Sequence, residues 1–520
     1  MKPRFAHQVS GVAEIVAPTN PARGRVIPRV LLLADEMRLG KTRQAIDAAA
    51  ELWRRGEVDQ VIVVAPASVR SEWADERTGQ VREYSEVPTT LLEYRSGKAR
   101  TWELGTELGL ATKPLRYVVT NYELIRRKER LEPLLERANG RTMLVLDESA
   151  YVSSPTAQQT KAVFKLRRRC GPALELNGTP WGDNPGDIYA QMKILSPDIL
   201  GCRTWTEFRA KYAVMVPRVV HNGNHKFLEI VDWTNLDDLN RRVAPYVLRR
   251  TMAEVFPDMP PALDPVTLTA TLTDETWRVY KEMRDEAVAF LESGECASAA
   301  QATARVLRLA QITSGFVGGV ECLGCLGSDD PGCALCGGVP PPGTRELSRE
   351  KLDLTLGWVD DRLAEDHNFK TIVWCRFRLE AERVVRELGV SRPDVPAMLL
   401  YGGQKPAVRE AVKAALHPRS AGPGPLVVAG TARTGGLGLN FAAASTMLRC
   451  SNDFSLMSYQ QSGARILGPD QKFPAAYFDV VAEGPRGQRT VDHHVIAKLR
   501  AKEDVAGVSA RAWATILRQE

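Results

Sequence analysis

Long apolar runs are missing from this 520-residue chain. No stretch approaches the ~20 continuous apolar residues that a membrane-spanning helix needs. The first residues, Met1-Lys2-Pro3-Arg4-Phe5, also lack the apolar segment of a secretory signal. These gaps argue against membrane and secreted classes, so a cytoplasmic, reducing location is expected. A strong charge of one sign is missing as well. The 69 basic and 63 acidic residues leave a formal net charge of +6, which permits a nucleic-acid partner without demanding one. Cysteine is scarce, and five of the nine are isolated, which speaks against a disulfide framework. The chain is too long for one core, and two or three domains are expected. With 44% hydrophobic and 25% charged residues, its composition is that of an ordinary globular protein.

The chain is organised around Val30-Leu31-Leu32-Leu33-Ala34-Asp35-Glu36-Met37-Arg38-Leu39-Gly40-Lys41-Thr42. An apolar run with the length of a buried strand ends at Ala34. Past Thr42, Ile46, Ala49, Ala50 and Trp53 mark one face of a helix. Strand, loop, Gly-Lys-Thr and helix together form a phosphate-binding loop. Backbone N–H groups and the helix N-terminus hold phosphates, Lys41 places a cation on them, and the Thr42 hydroxyl can ligate Mg²⁺. The first glycine of the usual signature is absent, because Asp35 stands there.

Further strands follow. Val61 to Ala65 leads to Pro66-Ala67-Ser68, then Trp73 and Glu76. Leu115 to Thr120 leads to Asn121-Tyr122-Glu123. Met143 to Leu146 ends in Asp147-Glu148, and Ala173 to Leu176 runs into Asn177-Gly178-Thr179-Pro180. Two carboxylates at a strand tip, downstream of a phosphate loop, are what a Mg-nucleotide site requires. Asp147 can hold the Mg²⁺ water shell, and Glu148 can orient and deprotonate the attacking water. Alternating strands and helices predict a parallel sheet with the site at its strand ends. Gln8, some thirty residues before the loop, carries an amide able to read adenine edges.

In their order these motifs resemble the Swi/Snf type of superfamily 2 helicase-like ATPase. Asp35 to Thr42 is similar to the family's Asp-Glu-Met-Gly-Leu-Gly-Lys-Thr, with Arg38 replacing a glycine. Gln8 resembles the adenine-reading motif. Pro66 to Glu76 and Thr120 to Glu123 resemble its DNA-contacting motifs. Asp147-Glu148-Ser149-Ala150 resembles the Asp-Glu-x-His box, with Ala150 where His is usual. Asn177 to Pro180, followed by Asn184, resembles the coupling motif, and Arg249-Arg250 the double-arginine brace. The resemblance spans residues 4–500. It implies an α/β fold of two RecA-like parallel-sheet domains. Lobe 1 is expected over residues 1–260, with a helical insertion at about 185–250. Lobe 2 is expected over 261–520, with a helical insertion and zinc knuckle at about 265–345.

In the second half, Cys322-Leu323-Gly324-Cys325 and Cys333-Ala334-Leu335-Cys336 form two Cys-x-x-Cys knuckles. Four thiolates suit a closed tetrahedral structural Zn²⁺; an iron–sulfur cluster is less favoured by paired knuckles. Thr371 to Cys375, Ala397 to Tyr401 and Leu426 to Ala429 read as strands. Thr434-Gly435-Gly436-Leu437-Gly438 would let backbone approach a phosphate, and Gly436 and Gly438 are candidate nucleotide contacts. By the resemblance, Gln461 to Arg465 lies on the family's Gln-x-x-x-Arg-x-x-Arg, with Gly468 in place of the second arginine. That motif reaches the γ-phosphate and neutralises developing charge, so Arg465 is the implied arginine.

The resemblance thus implies a DNA-dependent ATP hydrolase, a double-stranded DNA translocase using ATP and Mg²⁺. Its expected catalytic residues are Lys41, Asp147, Glu148 and Arg465. The nucleotide contacts would be Gln8, Asp35, Glu36, Met37, Arg38, Leu39, Gly40, Lys41 and Thr42, with Thr42 and Asp147 on magnesium. A monomer of bacterial or viral origin is expected from the compact form, acting in the bacterial cytoplasm or an infected cell. Two alternatives stay open. One is a strand-separating DNA or RNA helicase, which needs a pin element that the sequence does not identify. The other is a nucleotide-gated DNA-binding module with weak turnover, suggested by Arg38, Ala150 and Gly468.

Overall fold

The computed structural model describes residues 4–17, 29–67, 69–75, 79–94, 100–104, 113–178, 185–219, 226–292, 299–317, 345–418, 420–432, 440–501 and 510–518. Two compact units divide the chain, Met1–Pro257 and Asp258–Glu520. Each is built on a parallel sheet, the α/β class that the alternation of strands and helices predicts.

In the first unit, helix α1 (Ala6–Val16) precedes β1 (Val30–Leu33), and α2 (Lys41–Arg54) follows it. The remaining strands are β2 (Gln60–Ala65), β3 (Thr89–Glu93), β4 (Arg100–Leu104), β5 (Leu115–Asn121), β6 (Thr142–Asp147), β7 (Ala173–Leu176), β8 (Ala213–Val219), β9 (Lys226–Trp233) and β10 (Val247–Leu248). The sheet order is β10-β1-β7-β6-β2-β5-β3-β4, parallel except for the edge pair β3–β4. Every residue of β2 and β6 is buried, which is why both read as near-continuous apolar runs. Alternation sends Leu32, Ile62, Val64, Leu144 and Leu146 to one face. Leu33, Val61, Val63, Val145 and Leu174 go to the other.

Register then places the chemistry. Leu33 pairs with Leu176, and Leu176 with Asp147. The residues that follow β1, β7 and β6 therefore emerge side by side at the C-terminal ends of the strands.

The segment expected to be a helical insertion is only partly helical. Helices Asp187–Leu195, Trp205–Tyr212 and Leu236–Val243 pack around Tyr189, Trp205, Phe208 and Tyr212. Between the last two helices, β8 and β9 form an antiparallel ribbon with a register shift at Val214/Met215. Its valines and Ile230 are β-branched residues that favour strand, which helical spacing around Trp205 and Phe208 conceals.

The second unit adds β11 (Val266–Thr271), β12 (Phe316–Val317), β13 (Arg345–Glu346), β14 (Lys370–Cys375), β15 (Ala397–Leu400), β16 (Leu426–Thr431), β17 (Thr446–Arg449) and β18 (Ala476–Glu483). Six of these form an all-parallel sheet in the order β11-β18-β17-β14-β16-β15. Helices Asp274–Glu292, Ala299–Thr313 and Ala510–Leu517 close around Tyr280, Leu307 and Trp513. No helix among the described residues is long and apolar enough to cross a membrane.

Gly436, Gly438 and the knuckle cysteines Cys322, Cys325, Cys333 and Cys336 lie outside the described residues. Among the described residues, no cluster of three or more His, Cys, Asp or Glu side chains could hold a metal ion. Cys170, Cys202, Cys375 and Cys450 are buried free thiols.

Candidate nucleotide site

The loop after β1 is fixed along β10. The Ala34 N–H donates to the Leu248 carbonyl at 2.7 Å, and the Glu36 N–H to the Arg250 carbonyl at 2.8 Å. Two left-handed residues then turn the chain into α2, Arg38 at φ 72° and Gly40 at φ 76°. The positive φ favours glycine at position 40, where a Cβ would also displace the Gln8 amide, 2.3 Å away. The helix begins at Lys41, so its first N–H groups, which have no intrahelical partner, face the loop and suit an anion. The Lys41 ammonium donates to the Asp35 and Glu36 carbonyls at 2.7 and 3.3 Å. Burial pulls its pKa below the usual lysine range, and Glu148, Asp35, Asp147 and Glu36 offset part of that loss. Thr42 follows, half-buried on the first turn.

Several residues expected to contact nucleotide also build the loop. Asp35 is fully buried, and its carboxylate accepts from Arg250 Nε at 2.9 Å and from Gln44 Nε2 at 3.0 Å. Arg250 also forms an ion pair with Asp35 and donates to Gln44 Oε1 at 2.7 Å and to the His7 carbonyl. The residue that replaces the first signature glycine is therefore an anchor, holding the loop to α2 and to the segment after β10. Glu36 accepts the Met252 N–H at 2.5 Å. Buried Gln8 accepts from the Phe5 N–H at 3.2 Å and donates to the Leu39 carbonyl at 3.4 Å, which His7 Nε2 also meets at 2.8 Å. Met37 packs beside Gly178, where a Cβ would come within 2.9 Å of Met37 Cγ and 3.4 Å of Lys41 Nζ.

The carboxylate pair sits at the tip of β6. Asp147 Oδ2 accepts from the buried Trp73 indole at 2.6 Å, and Oδ1 from the Glu148 N–H at 3.0 Å. Burial raises the Asp147 pKa above the usual carboxylate value, while the Trp73 hydrogen bond and Lys41 pull it down. The Tyr122 hydroxyl donates to the Asp147 carbonyl at 2.8 Å, and its ring stacks on Tyr151. Glu148 is left-handed, at φ 50°, a conformation costing about 1–2 kcal/mol for a side-chain-bearing residue. It turns the chain sharply at the strand end, where strain often accompanies function. The Ser149 hydroxyl and the Asn177 amide both donate to Gln191 Oε1, at 2.7 and 3.2 Å. That amide ties the turns after β6 and β7 together.

The first unit thus brings together Gln8, Lys41, Thr42, Asp147 and Glu148 with Asn177 and Gly178. Sequence reading missed the partnerships of Gln44, Gln191, Arg250 and Trp73. Three of the four lie far from their partners in the chain, so only the sheet topology reveals them. Arg465 belongs to the second unit, buried in the short turn Ala464–Ile466, with its carbonyl accepting the Phe441 N–H at 3.0 Å. Arg449, another basic residue near that motif, is committed to structure. It bonds Asp479 at 3.3 Å and lies over the Tyr459 ring at 4.0 Å.

Comparison with known proteins agrees with this geometry. The chain is 26% identical to the DNA annealing helicase and endonuclease ZRANB3 of Bos taurus over 237 residues, 45% of this chain and 20% of that protein. It is 25% identical to the SNF2 domain-containing protein ENL1 of Oryza sativa subsp. japonica over 235 residues, 44% of this chain and 23% of that one. Against the chromatin-remodeling ATPase INO80 of Homo sapiens it is 24% identical over 257 residues, 49% and 16% of the two chains. The chain spans about a fifth of the length of the curated relatives it matches. Among solved structures it is similar to the Sulfolobus solfataricus SWI2/SNF2 ATPase core in complex with dsDNA, at 17% identity and a TM-score of 0.40, covering 100% of this chain and 95% of that one. Residues 22–314 match the SNF2-related domain, and the chain belongs to that family.

Proposed function

We propose that this chain is a DNA-dependent ATP hydrolase that moves along double-stranded DNA, acting as a monomer. The observation that carries this reading is the convergence of Lys41, Asp147 and Glu148 at the C-terminal ends of the first sheet's strands, on the loop of an SNF2-related domain. Lys41 would bind the β/γ-phosphates of ATP, and Glu148 would orient and deprotonate water. Mg²⁺ fits beside Asp147. Each carboxylate oxygen has two lone pairs, and the structure engages one on each. Asp147 and the Thr42 hydroxyl would hold the ion, whose chemistry is to neutralise phosphate charge. Arg465 takes the arginine role that the resemblance implies.

Trp73 supports the DNA dependence. It belongs to a motif resembling the family's DNA-contacting segment, yet its indole holds the catalytic carboxylate. Duplex DNA should stimulate phosphate release, and the stimulation should fall as salt rises. Equal stimulation by single-stranded RNA, or none by duplex, would overturn the reading. To it we add a structural Zn²⁺ at Cys322, Cys325, Cys333 and Cys336, supported by their spacing. Elemental analysis should find about one zinc per chain.

A second reading, strand separation, is favoured by one observation. The β8–β9 ribbon exposes Val214, Val216, Leu228 and Val231, and apolar wedges can part base steps. A forked-duplex unwinding assay separates the two readings.

A further inference from the structure

A cavity of about 840 Å³ opens in the first unit between helix Gln158–Arg167 and the segment Tyr189–Arg203. Both helices lining it run back from the strand ends that carry Asp147 and Asn177. The cavity therefore lies toward the N-terminal ends of the strands, opposite the nucleotide site, beside Cys170 and the start of β7. Six cationic side chains line it against one acidic one, Asp198.

Two of the six hold the fold. Arg167 donates to the carbonyls of Leu195, Cys170 and Gly171 at 2.9–3.3 Å. Lys193 caps Pro197 and Cys202 at 3.2 and 3.1 Å. The other four, Lys161, Lys165, Arg168 and Arg203, are exposed, and their side chains pair with no carboxylate among the described residues. Three of them follow one face of a helix at i, i+4 and i+7, neighbours about 5–6 Å apart. Like charges at that spacing repel, while the helix C-terminus favours the cations of Lys165 and Arg168. Phe164 lies on the same face, half-buried, and contributes an aromatic ring to the cavity wall.

We propose that this cavity binds single-stranded nucleic acid, with phosphates along Lys161, Lys165, Arg168 and Arg203 and an unstacked base against Phe164. A repeating row of unpaired cations fits a repeating row of phosphates, and an aromatic wall gives a base a stacking surface. A duplex keeps its bases stacked inside and would leave the concave, ring-lined interior unfilled. The site is distinct from the ATP loop and from the motifs assigned to duplex DNA.

The test is fluorescence anisotropy of the full chain with a labelled oligothymidine of about twelve nucleotides, a length within the usual site sizes. Lys161→Glu/Lys165→Glu should weaken binding about ten-fold or more and lower the salt slope by about 1.4, or 0.7 per phosphate contact. Phe164→Leu, which keeps an apolar side chain for packing, should weaken it about five-fold with little change in slope. Duplex-stimulated ATP hydrolysis should stay at the parental rate in all of these variants, which separates failure of this inference from failure of the duplex reading. Should the charge reversal impair folding, Lys161→Gln/Lys165→Gln gives the same directions. Unchanged oligothymidine binding would overturn the proposal. So would an equal loss of duplex affinity, or wild-type protein preferring polyglutamate to the oligonucleotide.

Discussion

The two units carry the same kind of parallel sheet and use buried charged residues differently. In the first, Lys41 rests on loop carbonyls and Asp147 on an indole, with Glu148 beside them in a strained turn. In the second, the comparable charges are locked against each other. Arg376 pairs with Asp453 at 2.6 Å, Lys351 with Asp492 at 2.6 Å, and Arg449 with Asp479 at 3.3 Å, all buried. Asp492 also accepts the Thr313 hydroxyl and the Ala482 N–H, each at 3.0 Å. The same architecture therefore serves chemistry where Lys41 and Asp147 keep neutral partners, and stability where charges neutralise one another, as Asp35 and Arg250 also do beneath the phosphate loop. Substitutions in the two places should fail in different assays.

The sharpest contrast pairs Lys41→Ala with Lys351→Met. Loss of Lys41 should reduce ATP binding and all but abolish hydrolysis, with the melting temperature nearly unchanged. Loss of Lys351 leaves Asp492 buried without its cation and should cost about 3–5 kcal/mol of stability, while ATP binding to the first unit persists. Denaturant melts alongside nucleotide titrations would break the comparison if both variants lost the same property.

Arg465→Ala comes next in size. A trans arginine in phosphoryl transfer is worth ~10³-fold or more, so kcat should fall by that order while ATP affinity holds within a few-fold. An unchanged rate would exclude Arg465 from the role that the resemblance implies.

Trp73→Phe has a smaller and more specific effect. Removing the indole N–H deletes a bond that holds the Asp147 pKa down, while burial still pushes it up. The folded-state pKa should rise further, so the acidic limb of kcat/KM should move to higher pH. A merely structural tryptophan would lower activity without moving that limb.

The smallest change is Arg38→Gly. Arg38 is left-handed where the family has glycine. The substitution should raise stability by about 1 kcal/mol, measured as a modest gain in melting temperature.

Much of this was legible in the sequence. Strands rich in apolar residues announce themselves as runs, so β1, β2, β5, β6, β7, β14, β15 and β16 could be read from Val30, Val61, Leu115, Met143, Ala173, Thr371, Ala397 and Leu426 onward, even though β15 lies at the sheet edge and is only partly buried. Shorter or less apolar strands could not. β3 reads Thr-Thr-Leu-Leu-Glu, β10 is two residues long, and β17 ends in Arg449. The ribbon β8–β9 was lost in a segment whose aromatic residues have helical spacing. Lys41, Asp147, Glu148 and Asn177 could be picked out because each follows a readable strand, whereas Gln8 lies in a helix and Arg465 in a short turn of the second unit. Their supports were not, since Arg250 reaches Asp35 across 215 residues and Trp73 reaches Asp147 across 74. Asp35 looked like a defect in the phosphate signature, and only its pairing with Arg250 and Gln44 shows what replaced the glycine.

The central claim is that the first unit is a hydrolytic ATP site with Glu148 as its base. Glu148→Gln preserves shape and hydrogen bonding but removes the base, so ATP affinity and turnover in the presence of duplex DNA should separate. The account predicts ATP binding within a few-fold of the parent and phosphate release reduced by about 10²–10⁴. Release at the parental rate by a variant that still binds ATP would contradict it.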